Sequence, residues 1–238
     1  MKKMSMSNWS KTEEGFHLLM DELYYKAVRG YRESPFLFVS RQSVAAYLAR
    51  AYLFQKILNV KGSIVECGCH QGNSLFLFYH LSSILEPYAL NRKIIGFDSF
   101  GGFRSQKDYE NVNTKDFSDT NYELLVELKK IHDLNRPIGH IEKIELIKGD
   151  AVQTIPLWKS QNEHALIALL YLDFDIYEPT KVALENLFEL VVMGGLVVFD
   201  ELNVQKFPGE TRIFKEFFGK AKLRKFPFEP WLSFFYVE

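Results

Sequence analysis

The sequence lacks the features that mark several large classes of protein. Its 238 residues include only two cysteines, Cys67 and Cys69, so a disulfide framework is excluded and no second pair completes a zinc site. The formal net charge is −1 and no block of basic residues occurs, which argues against nucleic acid as a partner. No apolar run approaches the roughly 18 residues that a membrane-spanning helix needs.

The amino terminus lacks the pattern of a secretory signal. Lys2 and Lys3 give it a positive start, but residues 5–10 are mostly polar where a signal peptide needs an apolar run.

Internal repeats and low-complexity linkers are missing too, and 47% of the residues are hydrophobic, enough for one large core. We therefore expect a cytoplasmic protein with no membrane partner. We predict a helical extension and substrate lid over residues 1–42, with a helix near Phe16–Leu23, and one domain over residues 43–238.

Short apolar runs alternate with helical stretches through that domain. The predicted helices cover residues 43–58, 74–85, 122–134, 179–190 and 211–218, and the last two strands, 223–226 and 231–237, form a hairpin. This alternation predicts an α/β fold: a doubly wound, mostly parallel seven-stranded sheet with an antiparallel C-terminal hairpin. All five parallel strands end in acids, which are Glu66, Asp98, Asp150, Asp173 with Asp175, and Asp200 with Glu201. Because the carboxyl ends of such strands line the ligand crevice, we expect these acids to meet there.

The chain is organised around the stretch Ser63–Gly72, in which a strand, a glycine turn and a helix follow one another. Gly68 and Gly72 allow the backbone to turn sharply beside a bound molecule, and Asn73 or Ser74 is suited to cap the next helix. The spacing E-x-G-x-x-x-G departs from the G-x-G-x-x-G dinucleotide fingerprint. A pyrophosphate cradle is therefore not the preferred interpretation.

Clustered carboxylates repel each other unless cations or hydrogen-bond donors lie among them, so we divide the acids between two ligands. Glu66, Asp98 and Asp150 can accept hydrogen bonds from an amino group, ribose hydroxyls and an adenine amine. Asp173, Asp200 and Glu201 can hold a hard divalent cation, Mg²⁺ or Mn²⁺. The predicted cofactor-binding set is Glu66, Gly68, Gly72, Ser74, Asp98, Ser99, Asp150, Ala151 and Asp173.

Five motifs together resemble one family. E-x-G-x-x-x-G at Glu66–Gly72, G-F-D-S-F-G-G-F at Gly96–Phe103, L-D-F-D-I-Y-E-P-T at Leu172–Thr180, G-G-L-V-V-F-D-E at Gly194–Glu201 and P-G-E-T at Pro208–Thr211 are similar to the macrocin O-methyltransferase (TylF-like) family of class I S-adenosylmethionine-dependent methyltransferases. Two stretches depart from the family pattern, the segment Cys69–Gln71 and Glu201, which replaces an aspartate.

The resemblance implies Mg²⁺-dependent transfer of a methyl group from S-adenosylmethionine to a hydroxyl of a small molecule, expected to be a sugar. The cofactor supplies the methyl group, so the protein must position the acceptor and deprotonate its hydroxyl. Asp173 is the candidate for both metal ligand and catalytic base. Asp175 is predicted to support the site from behind it or to cap the helix at Pro179, and Tyr177 either contacts substrate or packs behind the site.

Three alternatives remain open from the sequence. The first is a methyltransferase whose acceptor carries a catechol-like pair of hydroxyls. The second is a nicotinamide oxidoreductase, and the third is a non-catalytic binding scaffold. The polar, aromatic segment Ser99–Thr120 is expected to be a mobile lid, because loops of this length in a compact domain are usually functional. The sequence allows a homo-oligomer and does not fix the acceptor.

Overall fold

One sheet organises the computed structural model, which describes residues 34–103 and 117–238. Its strands are β1 (Ser63–Cys67), β2 (Ile94–Asp98), β3 (Ile144–Lys148), β4 (Ile167–Leu172), β5 (Val191–Phe199), β6 (Arg224–Lys225) and β7 (Ser233–Tyr236). Their spatial order is β3-β2-β1-β4-β5-β7-β6. Strands β1 to β5 are parallel, and β7 runs antiparallel to both β5 and β6. The predicted sheet and its terminal hairpin are confirmed, although both hairpin strands are shorter than predicted.

Six α-helices of the described residues connect these strands. They are α1 (Arg41–Lys56), α2 (Asn73–Leu85), α3 (Tyr122–Asp133), α4 (Ala151–Gln161), α5 (Tyr177–Leu187) and α6 (Pro208–Phe217). Short 3₁₀ turns occupy Pro35–Leu37 and Phe188–Leu190. The five helices predicted for residues 43–218 all occur, with ends displaced by a few residues.

Strand β5 begins earlier than the glycine pair suggested. The sequence places Gly194 and Gly195 before the strand, whereas the strand already starts at Val191. The reason is pairing with the end of the chain, because the Gly194 amide donates to the Val237 carbonyl and the Val237 amide to the Gly195 carbonyl. The two glycines therefore continue the sheet instead of opening it.

Strand β4 is buried along its whole length, which a central parallel strand requires. Its side chains alternate between the faces: Leu169 and Tyr171 join one apolar cluster, and Leu170 and Leu172 join the other. Helices α1 and α2 contribute to the cluster that contains Tyr171. This alternation directs the Tyr171 side chain towards the face of the sheet that α1 covers.

The chain divides into two compact units, Met1–Leu48 and Ala49–Glu238. The predicted helix near Phe16–Leu23 lies outside the described residues, so the helical extension and lid over residues 1–42 stay a prediction. Among the described helices, none has both the length and the apolar character that crossing a bilayer demands.

Candidate active site

The carboxyl ends of the parallel strands open onto a cleft of about 670 Å³. All five strand-end acids that the sequence singled out line it, as do the neighbouring acids Asp175 and Glu201. The remaining members of the predicted cofactor set, Gly68, Gly72, Ser74, Ser99 and Ala151, line the same cleft. The structure therefore brings the predicted site residues together, and the parallel sheet is the reason.

The glycine turn after β1 approaches the end of β4 very closely. Gly68 has φ +95°, and a Cβ placed there would lie 1.9 Å from the Asp173 carbonyl oxygen. A side chain at this position is excluded by both strain and space. Gly72 then caps α2 with φ +78°, and no side chain bonds to the open amides. The prediction that Asn73 or Ser74 caps this helix is wrong, because the left-handed glycine already ends the turn.

Asp98 holds the glycine turn from the neighbouring strand. Its Oδ2 accepts hydrogen bonds from the amides of Cys69 and His70, both at 2.8 Å, and its Oδ1 accepts one from the Phe100 amide at 2.6 Å. These bonds leave part of the acceptor capacity of a carboxylate for a ligand. Asp98 thus both shapes the turn and faces the cleft.

We expect Asp98→Ala to weaken binding of S-adenosylhomocysteine about ten- to hundred-fold, since a partly buried carboxyl acceptor is lost. Calorimetry measures the affinity, and thermal unfolding shows whether the turn still folds. Asp98→Asn is the matched control: its amide oxygen can still accept bonds from the turn, so its loss should be smaller. Unchanged affinity in Asp98→Ala would remove Asp98 from the cofactor site.

The remaining predicted cofactor residues have local partners as well as a place in the cleft. The Asp150 side chain caps α4 by accepting a hydrogen bond from the Val152 amide at 3.0 Å. The Ser99 hydroxyl donates to the Gly102 carbonyl at 2.6 Å and accepts from the Gly101 amide at 3.2 Å. Ala151 is the first residue of α4. Their contacts to a cofactor stay predictions.

Arg50 on α1 connects the two halves of the acidic cluster. Its Nε donates to Ser74 Oγ at 2.8 Å, and its Nη2 lies 3.4 Å from Asp200 Oδ1. Ser74 in turn hydrogen-bonds the carboxyl group of Glu66. Burial alone lowers the pKa of Arg50, but Tyr171, Asp200, Asp173 and Glu66 raise it well above its usual value. Arg50 is therefore a permanent positive charge among these acids.

Glu66 is buried with one carboxyl oxygen, Oε2, that has no partner among the described residues. Burial raises its pKa to about 8, with Asp200 and Asp98 adding to the rise and Arg50 and Ser74 opposing it. The unfolded chain ionises this group near pH 4.5. Between these two values the folded state binds more protons, so the stability that protonated Glu66 contributes is lost as the pH rises through this window.

We expect the ligand-free protein to lose stability between about pH 5.5 and pH 8, and Glu66→Gln to reduce the slope of stability against pH. One proton contributes at most about 1.4 kcal/mol per pH unit to the free energy of unfolding. Urea titrations at three pH values measure it. Glu185→Gln, a change on the exposed side of α5, should keep the wild-type slope. Equal slopes for the wild type and Glu66→Gln would show that Glu66 is already ionised at pH 5.5.

A second group of acids lies at the ends of β4 and β5. Burial raises the pKa of Asp173 well above its usual range, and Asp200, Asp175 and Glu210 raise it further. Burial also raises the pKa of Asp175 to about 10, helped by a hydrogen bond with Glu201. Ile176, with no side-chain bond, caps α5, so the alternative that Asp175 caps this helix is wrong.

Two properties decide whether these acids fit a divalent cation: the type of their donor atoms, and whether those atoms already have hydrogen-bond partners. Within residues 34–103 and 117–238, no three His, Cys, Asp or Glu side chains are arranged around one point as metal ligands. Asp173, Asp200 and Glu201 share the cleft, but Glu201 bonds to Asp175. The donor set nonetheless consists of hard oxygens, and the buried Glu201 Oε2 has no partner in the described part of the chain. The donors fit Mg²⁺, and the ligand assignment stays a prediction.

Three residues of this site were missed by sequence reasoning. Arg50 lies six residues before the end of α1, and Tyr171 lies inside the buried strand β4. Glu210, wholly buried in the first turn of α6, accepts hydrogen bonds from the amides of Glu201 and Asp175. The sequence feature that pointed to Arg50 and Tyr171 was the acid cluster itself, because clustered carboxylates need hydrogen-bond donors and a cation among them. The feature that pointed to Glu210 was the P-G-E-T motif.

The rim of the cleft carries a contact from the predicted lid segment. Asp119 Oδ1 lies 2.7 Å from His70 Nε2, and its Oδ2 accepts a hydrogen bond from the Gln71 amide group at 3.1 Å. Phe117 packs edge-on against both His70 and Phe103. Residues 104–116 of the segment lie outside the described residues, so lid closure stays a prediction.

Comparisons with solved structures find similar proteins. The crystal structure of CalS11, a calicheamicin methyltransferase, superposes with a TM-score of 0.89 at 30% identity and covers 94% of this chain and 92% of that chain. The apo structure of CalS11, described as a TDP-rhamnose 3'-O-methyltransferase, gives 0.83 at 29% identity, over 94% of each chain. The O-methyltransferase NovP shares the fold, with a TM-score of 0.62 at 18% identity over 81% of this chain and 79% of that chain.

A search of curated proteins returned no match. Residues 51–225 match the profile of the macrocin-O-methyltransferase (TylF) family. That span includes every strand-end acid and the glycine turn. The chain therefore belongs to the macrocin O-methyltransferase family of S-adenosylmethionine-dependent enzymes.

Proposed function

We propose that this enzyme methylates a hydroxyl of a deoxysugar, carried on a nucleotide or a natural product, with the help of Mg²⁺ or Mn²⁺. The observation that supports it most is the order of the strand ends along the cleft, which gives the cleft two parts, with the ends of β3, β2 and β1 on one side and those of β4 and β5 on the other. The glycine turn, Asp98 and Asp150 form one part, and Asp173, Asp175, Asp200 and Glu201 form the other. The first part suits an adenosyl group and the second suits a cation with vicinal hydroxyls.

The chain's own residues supply positioning and proton transfer. Asp173 stands at the junction of the two parts, and its backbone is fixed by a hydrogen bond from its amide to the Cys67 carbonyl at 2.8 Å. It accepts the hydroxyl proton while the acceptor oxygen bonds to the methyl carbon and the sulfur–carbon bond breaks. The products are a methyl ether and S-adenosylhomocysteine. The divalent cation, when bound, stabilises negative charge on the acceptor oxygen.

The residues that would hold the cation are Asp173 and Asp200, with Glu201 completing the set. Glu201 can reach the ion through its free Oε2 while its hydrogen bond with Asp175 stays in place. Asp175 then serves as the partner that keeps Glu201 in place. The cofactor end is held by Glu66, Gly68, Gly72, Ser74, Asp98, Ser99, Asp150 and Ala151.

Alternatives outside methyl transfer, an oxidoreductase or a binding scaffold, do not fit an enzyme of this family. A catechol-like acceptor would use the same acids, so an acceptor panel separates the two remaining candidates. Release of S-adenosylhomocysteine should be measured with TDP-rhamnose, free rhamnose and catechol at equal concentrations. The sugar acceptors, the nucleotide sugar above all, should be methylated. Turnover of catechol alone would replace the sugar assignment with the catechol one.

A further inference from the structure

We propose that Tyr171, together with Arg50, is a positioning residue that presents Asp200 to the divalent cation. The two side chains engage one carboxylate oxygen of Asp200 and leave the other for the ion. This inference rests on the proposed metal dependence. It assigns a role to Tyr171, which the sequence alone places in the apolar core.

The geometry is specific to one atom. The Tyr171 hydroxyl donates a hydrogen bond to Asp200 Oδ1 at 2.5 Å, and Arg50 Nη2 approaches the same Oδ1 at 3.4 Å. A distance of 2.5 Å lies at the short end of the range for a hydroxyl that donates to a carboxyl oxygen. Oδ2 takes no part in these contacts, so it is the oxygen that remains for a ligand in the cleft that Asp200 lines.

Tyr171 is itself held rigidly. Its side chain is fully buried, and its backbone pairs with Glu66 on one side and Val198 on the other. The ring packs edge-on against Phe78 with centroids 6.1 Å apart, and the Arg50 guanidinium lies 5.3 Å from the ring centroid. A hydroxyl on a ring this fixed can orient its partner without losing much conformational freedom.

Asp200 needs such orientation because its backbone position alone does not direct its side chain. The strand ends at Phe199, and the Asp200 amide still donates to the Leu172 carbonyl at 3.0 Å. Asp173 and Glu210, both acidic, are electrostatic neighbours. Partners behind a metal ligand fix its orientation, and their loss typically costs about 10- to 100-fold in metal affinity.

Mn²⁺ binding to the full-length protein tests this role without any turnover. Free Mn²⁺ is followed by electron paramagnetic resonance, in the presence of S-adenosylhomocysteine, for the wild type, Tyr171→Phe and Tyr79→Phe. Tyr79 is a buried tyrosine of the same apolar cluster that does not line the cleft, so Tyr79→Phe is the matched control. We expect Tyr171→Phe to weaken Mn²⁺ binding about tenfold or more, with S-adenosylhomocysteine affinity within about twofold. The control should change neither.

Each other outcome overturns the inference in a recognisable way. Mn²⁺ affinity in Tyr171→Phe within about twofold of the wild type would refute the positioning role and leave the proposed function standing. A parallel loss of Mn²⁺ affinity, cofactor affinity and melting temperature would assign Tyr171 a structural role only. If the wild type itself bound no Mn²⁺, the proposed metal would fail and this inference with it.

Discussion

Replacing Asp173 with asparagine should abolish methyl transfer while the protein still folds and binds S-adenosylhomocysteine. We expect kcat to fall about 10³-fold or more, because the change removes a proton acceptor and a metal ligand together. Cofactor affinity should stay within about threefold, since asparagine has nearly the same shape and Asp173 is one of several groups at the cofactor end.

The surroundings of Asp173 disfavour its ionised form in the empty cleft. Burial and the neighbouring acids Asp200, Asp175 and Glu210 raise its pKa well above the usual range, while Arg50 opposes the rise. A cation beside it favours the ionised form, so the same acid cluster that disfavours charge in the empty cleft prepares a base in the filled one.

Asp175→Asn is the matched control for this experiment. Asp175 lies two residues away in the same loop, at φ +63°, and bonds to Glu201. Its loss should lower kcat less, by about tenfold. If Asp173→Asn kept more than a tenth of the wild-type kcat, Asp173 would not be the base. If it lost cofactor binding in proportion, its role would lie in the cofactor site.

Much of the fold and the outline of the site could be predicted from the sequence. Runs such as Leu166–Leu172 are apolar throughout because both faces of a central strand are covered, and an acid lies at or near the carboxyl end of each parallel strand. Because parallel strands end at one edge of a sheet, their order along the chain is enough to place Glu66, Asp98, Asp150, Asp173 and Asp200 together. No knowledge of side-chain contacts is needed for that step.

Contacts between distant parts of the chain could not be predicted in this way. Arg50 and Tyr171 lie 121 residues apart in the sequence. Only the packing of α1 on the sheet brings them both to Asp200. Repulsion among the acids does predict that donors and a cation must lie among them, yet it does not say which. The cap of α2 was misjudged for a different reason. Gly72, at φ +78°, closes the turn by donating its amide to the Cys69 carbonyl at 2.7 Å, and residue preference alone does not predict that conformation.

Removing divalent cations should abolish activity reversibly. EDTA is expected to reduce methyl transfer at least about 100-fold, and excess Mg²⁺ or Mn²⁺ should restore it. The physical reason is the pKa of a sugar hydroxyl, which is so high in water that a carboxylate alone cannot hold its proton at neutral pH. A bound cation stabilises the negative charge on oxygen and so makes the transfer of the proton to Asp173 favourable.

Glu201 provides the internal control for the metal assignment. Adjacent Asp200 and Glu201 would point to opposite faces of a continuing strand, but β5 ends at Phe199 and the amide of Glu201 bonds to Glu210 Oε2 at 3.3 Å. The chain has therefore turned where both side chains must reach one ion.

Glu201→Gln should raise the Mg²⁺ concentration needed for half-maximal activity about tenfold, whereas Asp200→Asn should remove the response to Mg²⁺. Full methyl transfer in EDTA would eliminate the metal mechanism and leave Asp173 to act as a general base alone.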